Sequence, residues 1–233
     1  MIIIPAYSKC PKCEVVYNYT DMISEDTSGT EFWSDGFCMA PMRTDIIKFA
    51  KCPGCSTLFW LHENSIQKPA GLPEIKNLEN SWSLDNISNK EIGLIKEAFR
   101  AGLANTSENE ITLRLKLWHT INHKIRKYYD QGFFQTIKLK FFDTTGYKES
   151  LKQYNANITL KLNNLVRLAN LLKLDKIENT NYLLFAEIYR ELGDFSKAMI
   201  FCYKAETSLV FDPERITLLK QYITNKSKTT YRL

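Results

Sequence analysis

The sequence predicts an α+β chain, mainly α: a small N-terminal β domain over residues 1–80, followed by an all-α helical module over residues 81–233. Three observations predict it. Two cysteine pairs, each with a two-residue gap, stand in the first 60 residues, at Cys10/Cys13 and Cys52/Cys55. From about residue 85 the spacing of apolar residues changes from two to the 3.6 of a helix. The composition, 44% hydrophobic and 24% charged over 233 residues, is that of a globular chain. It excludes disordered, collagen-like and disulfide-miniprotein classes.

The chain begins with Met1-Ile2-Ile3-Ile4 and then Pro5. That run is far shorter than the roughly 20 apolar residues of a membrane-crossing helix. It also lacks the basic start of a secretory signal, so a reducing cytoplasm is expected. Cys10-Pro11-Lys12-Cys13 and Cys52-Pro53-Gly54-Cys55 follow. A proline after the first cysteine presets a turn, and the two-residue gap aims both sulfurs at one point. Two such turns supply four thiolates, the donor set that Zn2+ takes in a tetrahedron, so one structural zinc ion on Cys10, Cys13, Cys52 and Cys55 is expected. Two surface disulfides are the alternative, which a reducing compartment disfavours. Four cysteine ligands leave no position for an activated water, so such a site folds the chain and does not catalyse. Cys38 is a spare ligand or a half-buried thiol. Cys202, among Met199, Ile200, Phe201 and Tyr203, is a small core residue on a helix.

The two cysteine turns are 38 residues apart, 14 to 51, so the insert needs structure of its own. Glu31 to Phe37 predicts strand, Asp-Gly turn, strand. Ile46 to Ala50 and Thr57 to Leu61 flank the second pair as strands, which makes a zinc ribbon with a long β insert. Phe32, Trp33, Phe37, Met39, Pro41 and Met42 crowd the insert beside Asp35 and Arg43. They form the ribbon's own small core, dock it on the helices, or offer a surface to a partner protein. Trp33, Asp35, Phe37, Met39 and Met42 are the candidate partner-binding residues. Lys68 to Pro73, with two prolines and a glycine, marks a linker.

Ser88 with Glu91, and Ser107 with Glu110, fit the capping box. They open helices through Leu103 and through about Tyr129, the second ended by Gly132. Residues 133 to 142 alternate and suggest an extended piece. From 145 to 174, Tyr147, Leu151, Tyr154, Ile158, Leu162, Leu165, Ala169 and Leu172 draw one apolar stripe. Between 178 and 209, Tyr182, Ala186, Tyr189, Gly193, Phe195, Ala198 and Ala205 fall at the offsets of a tetratricopeptide-like helical hairpin. Asp212-Pro213 starts a last helix to about Thr224.

The order of these pieces resembles a family of uncharacterised bacterial zinc-ribbon proteins, CPxC…CPxC followed by a tetratricopeptide-like helical region. Four stretches carry the resemblance: FWSDGFCMAPM (32 to 42), KCPGCSTLFW (51 to 60), LRLKLWHTINHKIR (113 to 126) and LLFAEIYRELGDFSKAM (183 to 199). It implies this architecture and no activity.

His119 and His123 share a helix face, but His-Thr-Ile-Asn-His lacks the glutamate of HExxH, and Lys116 and Lys127 stand beside them. A solvated polar face is expected there. Phosphate-loop, dinucleotide and nucleophile-elbow motifs are missing, so no catalytic residue is assigned. Residues 1 to 80 carry seven basic and ten acidic residues, net −3, and residues 81 to 233 carry 24 and 16, net +8. The sequence therefore points to a non-catalytic zinc-binding interaction or adaptor protein with an unidentified protein partner. RNA or DNA association through the basic helical face, around Lys124, Arg126 and Lys127, is the alternative. A weaker third reading is an enzyme with its site between ribbon and helices.

Overall fold

Two hairpin tips of equal length organise the N-terminal half. The computed structural model describes residues 2–24, 30–39, 49–52, 54–66, 76–77, 89–130, 144–174, 181–208 and 212–232. Its strands are β1 (Ile2–Lys9), β2 (Val16–Ser24), β3 (Glu31–Phe32), β4 (Cys38–Met39), β5 (Phe49–Lys51), β6 (Leu58–Trp60), β7 (Ser65–Ile66) and β8 (Lys76–Asn77). Its helices are α1 (Asn89–Arg100), α2 (Ser107–Asp130), α3 (Thr144–Leu174), α4 (Tyr182–Leu192), α5 (Phe195–Thr207) and α6 (Pro213–Thr224). The described chain is mainly helical, with a small N-terminal region of short strands. It forms two compact units, Met1–Thr30 with Met39–Asn105, and Glu31–Cys38 with Thr106–Leu233. The chain thus passes between units three times. The expected boundary at residues 80 and 81, the linker at 68–73 and the extended piece at 133–142 lie outside the described residues.

In the first unit, β1 and β2 run antiparallel, and their ladder closes at Lys9↔Val16. β7 joins the free side of β1, and β8 runs parallel to β2, in the order β7-β1-β2-β8. β5 and β6 form a second antiparallel pair that closes at Lys51↔Leu58. Each ladder leaves a six-residue tip, 10 to 15 and 52 to 57, which carries one cysteine pair. Beneath them Ala50, Phe59 and Leu61 pack with the cysteines. Trp60 is buried edge-to-face on Phe49, and its Nε1–H donates to the Leu103 carbonyl at 2.9 Å. α1 buries Ile92, Ile95 and Ala98.

In the second unit α2 packs on α3, α4 on α5 and α5 on α6. Two helices, α4 and α5, stand within the segment 178–209. Gly193 is left-handed at φ 86°, and its N–H reaches the Arg190 carbonyl while that of Asp194 reaches Tyr189, a Schellman end to α4. Asp194 then caps α5 by accepting from the Lys197 N–H. Ala186, Ala198, Cys202 and Ala205 are almost wholly buried, and their small side chains let the two helices approach. Asp212 caps α6, with Pro213 at its first position.

Two expectations need correction. The cap of α2 is one residue early: Thr106 Oγ1, not Ser107, accepts the Asn109 N–H at 3.1 Å. Glu110 therefore does not close a capping box. It bridges Arg114 and Arg167 instead. The long stripe of α3 is apolar only over its C-terminal half, at Leu165, Leu168, Ala169 and Leu172. Further toward the N-terminus Leu151 is 39% exposed, and the buried face turns to Asn157, Lys161 and Asn164. The reason lies across from it, in buried carboxylates that need a cation.

Candidate metal centre and a buried charge cluster

The two cysteine tips share the same closing hydrogen bonds and the same left-handed residue. Cys10 N–H donates to Val15 O and Glu14 N–H to Cys10 O, at 2.9 and 3.0 Å. At the other tip Cys52 N–H donates to Thr57 O and Ser56 N–H to Cys52 O, at 2.8 and 2.7 Å. Glu14 and Ser56 follow the second cysteine of each pair, and both are left-handed, at φ 61° and 59°. That residue reverses the chain so the second sulfur points back at the first. The four Sγ atoms of Cys10, Cys13, Cys52 and Cys55 all lie within 4.8 Å of one another. Sulfurs from opposite tips are neighbours: Cys10 with Cys55 at 3.6 Å and Cys13 with Cys52 at 3.5 Å. No disulfide joins them, since all six cysteines are free. The cluster can hold a metal ion.

Its electrostatics suit a cation. The Thr57 hydroxyl and backbone hold the Cys55 thiol down at about 6. The Val15 backbone favours the Cys13 thiolate, but burial and the neighbouring thiols outweigh it and push that thiol up to about 12. One thiolate in the cluster opposes the next, and a bound cation removes the opposition.

The second concentration of polar groups is inside the helical unit. Asp35, Glu187 and Glu191 are buried, and so are Arg126, Lys161 and Arg190, three anions with three cations. Asp35 sits on the tight turn between β3 and β4, where Gly36 takes φ 79° and Asp35 Oδ1 accepts the Phe37 N–H. Its Oδ2 accepts from Asn122 at 2.8 Å and pairs with Arg126 at 3.3 Å. The Asn122 amide also donates to Glu191, while its oxygen accepts from Lys161. Lys161 Nζ is 2.9 Å from Glu191 Oε2, which also takes the Trp118 indole N–H. Burial raises the Glu191 carboxyl above its usual range, and the Lys161 ammonium opposes the shift. Glu187 is bidentate to Arg190 and accepts from the Ser34 hydroxyl. The tail closes the cluster: Tyr231 N–H reaches Ser34 Oγ, Ser34 N–H reaches Tyr231 O, and Arg190 donates to the Ser227 carbonyl.

This places the candidate insert residues. Trp33 is half-buried under the Arg126 guanidinium, 4.3 Å from its ring centroid. Asp35 is 1% exposed and Phe37 7%. These three belong to the compact unit that holds helices α2 to α6, and the Asp35 carboxylate is spent on Arg126 within it. Met39 is in β4, and Met42 lies outside the described residues. The histidine pair is likewise not a solvated face. His119 donates its Nε2–H to the Asp35 carbonyl at 3.0 Å, and both rings meet Phe37 edge-on. Burial holds His119 below the usual histidine range. Cys38 is in β4, outside the cysteine cluster, and Cys202 is core, its thiol pushed up to about 12 by burial.

Sequence reasoning missed this cluster, although α4 signals it. Glu187, Arg190 and Glu191 stand three and four apart in YLLFAEIYREL, so they gather both signs of charge on one face of a helix that is otherwise apolar. Among the described residues no helix is long and apolar enough to cross a membrane. No family model, curated protein or solved structure matches the chain.

Proposed function

We propose that the chain is a non-catalytic protein-interaction or adaptor protein built on one structural zinc ion. The observation that carries the metal reading is the pair of equivalent tips with four sulfurs inside 4.8 Å. A tetrahedron with Zn–S bonds of about 2.3 Å has edges of about 3.8 Å, close to the 3.5 and 3.6 Å across the tips. Cys10, Cys13, Cys52 and Cys55 would fill every position of the ion, which then folds the tips together and has no site for water or substrate. The helical hairpin of α4 and α5, with its tetratricopeptide-type spacing, is the element this reading assigns to partner contact. Association with RNA or DNA is less well supported, because Arg126, central to the basic face expected for it, is buried on Asp35.

Two measurements test the reading. Elemental analysis of purified protein should give about one zinc per chain. Cross-linking in cells followed by affinity capture should give one reproducible protein partner. Chain that folds without metal, or steady turnover of a small molecule with no protein captured, refutes it.

A further inference from the structure

Along α5 the helical unit leaves large apolar side chains in water. Ile200 and Tyr203, one turn apart, are 54% and 55% exposed. Beside them Phe201, half-buried, stacks on rings of α4 at 4.9 and 5.5 Å. Cations rim this strip. Lys204 Nζ stands 5.2 Å from the Phe201 centroid, Lys220 Nζ 4.5 Å from that of Tyr203, and Lys173 over the far end of the aromatic row. Lys220 is paired with Glu206 at 2.7 Å. Lys173 and Lys204 have no ion pair among the described residues. The strip thus joins exposed apolar area to uncompensated positive charge.

We propose that this strip is the docking site for an acidic amphipathic helix of a partner protein. The inference rests on the interaction reading above and names its surface and the partner's chemistry. An apolar stripe on such a helix covers Ile200 and Tyr203, and Asp or Glu side chains at its edge meet Lys204 and Lys173. Charge decides among the possible occupants. A second copy of the chain brings lysine against lysine across a two-fold interface. A nucleic-acid base stacks on an open ring face, and Lys220 and Lys204 each stand over one face of Tyr203 and of Phe201.

The test uses the full metal-loaded chain and a fluorescein-labelled synthetic helix with a Leu/Trp stripe flanked by Glu. A peptide with Lys in place of every Glu and a single-stranded oligouridylate are the comparison probes. Fluorescence anisotropy should show the acidic helix bound about 10-fold or more tightly than either, with binding that weakens as salt rises. Ile200→Ala with Tyr203→Ala should weaken it about 10-fold, and Lys204→Glu should weaken it while improving the basic peptide. All three positions are exposed, so circular dichroism should show the fold unchanged. No binding of the acidic helix, equal binding of both peptides, preference for the oligonucleotide, or binding unchanged in the double variant overturns the proposal. Cellular cross-linking separates the two readings. A partner still captured by the double variant sinks this surface and leaves the interaction reading standing; no partner captured by the wild type sinks the interaction reading itself.

Discussion

Asp35 shows how much one side chain can settle. Its carboxylate is held by Asn122, Arg126 and its own turn, so removing it takes the paired anion away from a buried guanidinium and one acceptor from a buried amide. Asp35→Ala should cost the helical unit about 3 kcal/mol in urea unfolding followed by far-ultraviolet circular dichroism. His119 gives the unit a pH dependence. Burial depresses its folded pKa below the value near 6.5 of the unfolded chain, so below about pH 6.5 the unfolded state takes a proton that the folded ring refuses. Stability is therefore complete above pH 6.5 and falls as pH drops, by at most about 1.4 kcal/mol per pH unit. The raised Glu191 carboxyl works in the opposite sense, because the folded state then binds its proton first. The comparison of wild type with His119→Gln between pH 7 and 5.5 isolates the histidine, and the variant should show the smaller acid loss. At the candidate metal centre, Cys52→Ser should abolish binding of the proposed zinc and unfold the first unit, read by elemental analysis and by the fluorescence of Trp60.

At the scale of elements, what was legible in the sequence was what is decided locally. A two-residue gap between cysteines, a proline at the first position of α6 and a glycine after α4 each set the backbone within a few residues, and each appears where its motif stands. Gly193 tests that logic. A side chain there is strained at φ 86°, and a Cβ would press on the far end of Lys228, which can swing away. Gly193→Ala should cost about 1 kcal/mol through backbone strain, measurable as a lower Tm. What was not legible is what needs distant segments. The face of α3 that carries Asn157 and Lys161 looks like a solvent face until Glu191 and Asn122 are placed against it. Arg126 and His119 were misjudged for the same reason. Patterning assumes that charge seeks water, and here three anions are buried in pairs with three cations instead.

For the whole molecule, the two units separate what holds each together. The first packs apolar side chains directly around the four cysteines, and the second has a continuous apolar core from α2 to α6. Stripping the proposed zinc with a chelator should therefore abolish the Trp60 signal of the first unit while most of the helical circular dichroism persists. The reach of the segment Glu31–Cys38 into the second unit also sets a clock. Ser34 is bonded to Tyr231, 197 positions away. At roughly 5–20 residues per second, ribosomal synthesis separates the two partners by about 10–40 s. Through that interval Ser34 lacks its Tyr231 partner, and for the first part of it Asp35 also lacks Asn122 and Arg126, a window in which a nascent chain offers this later-buried turn to chaperones.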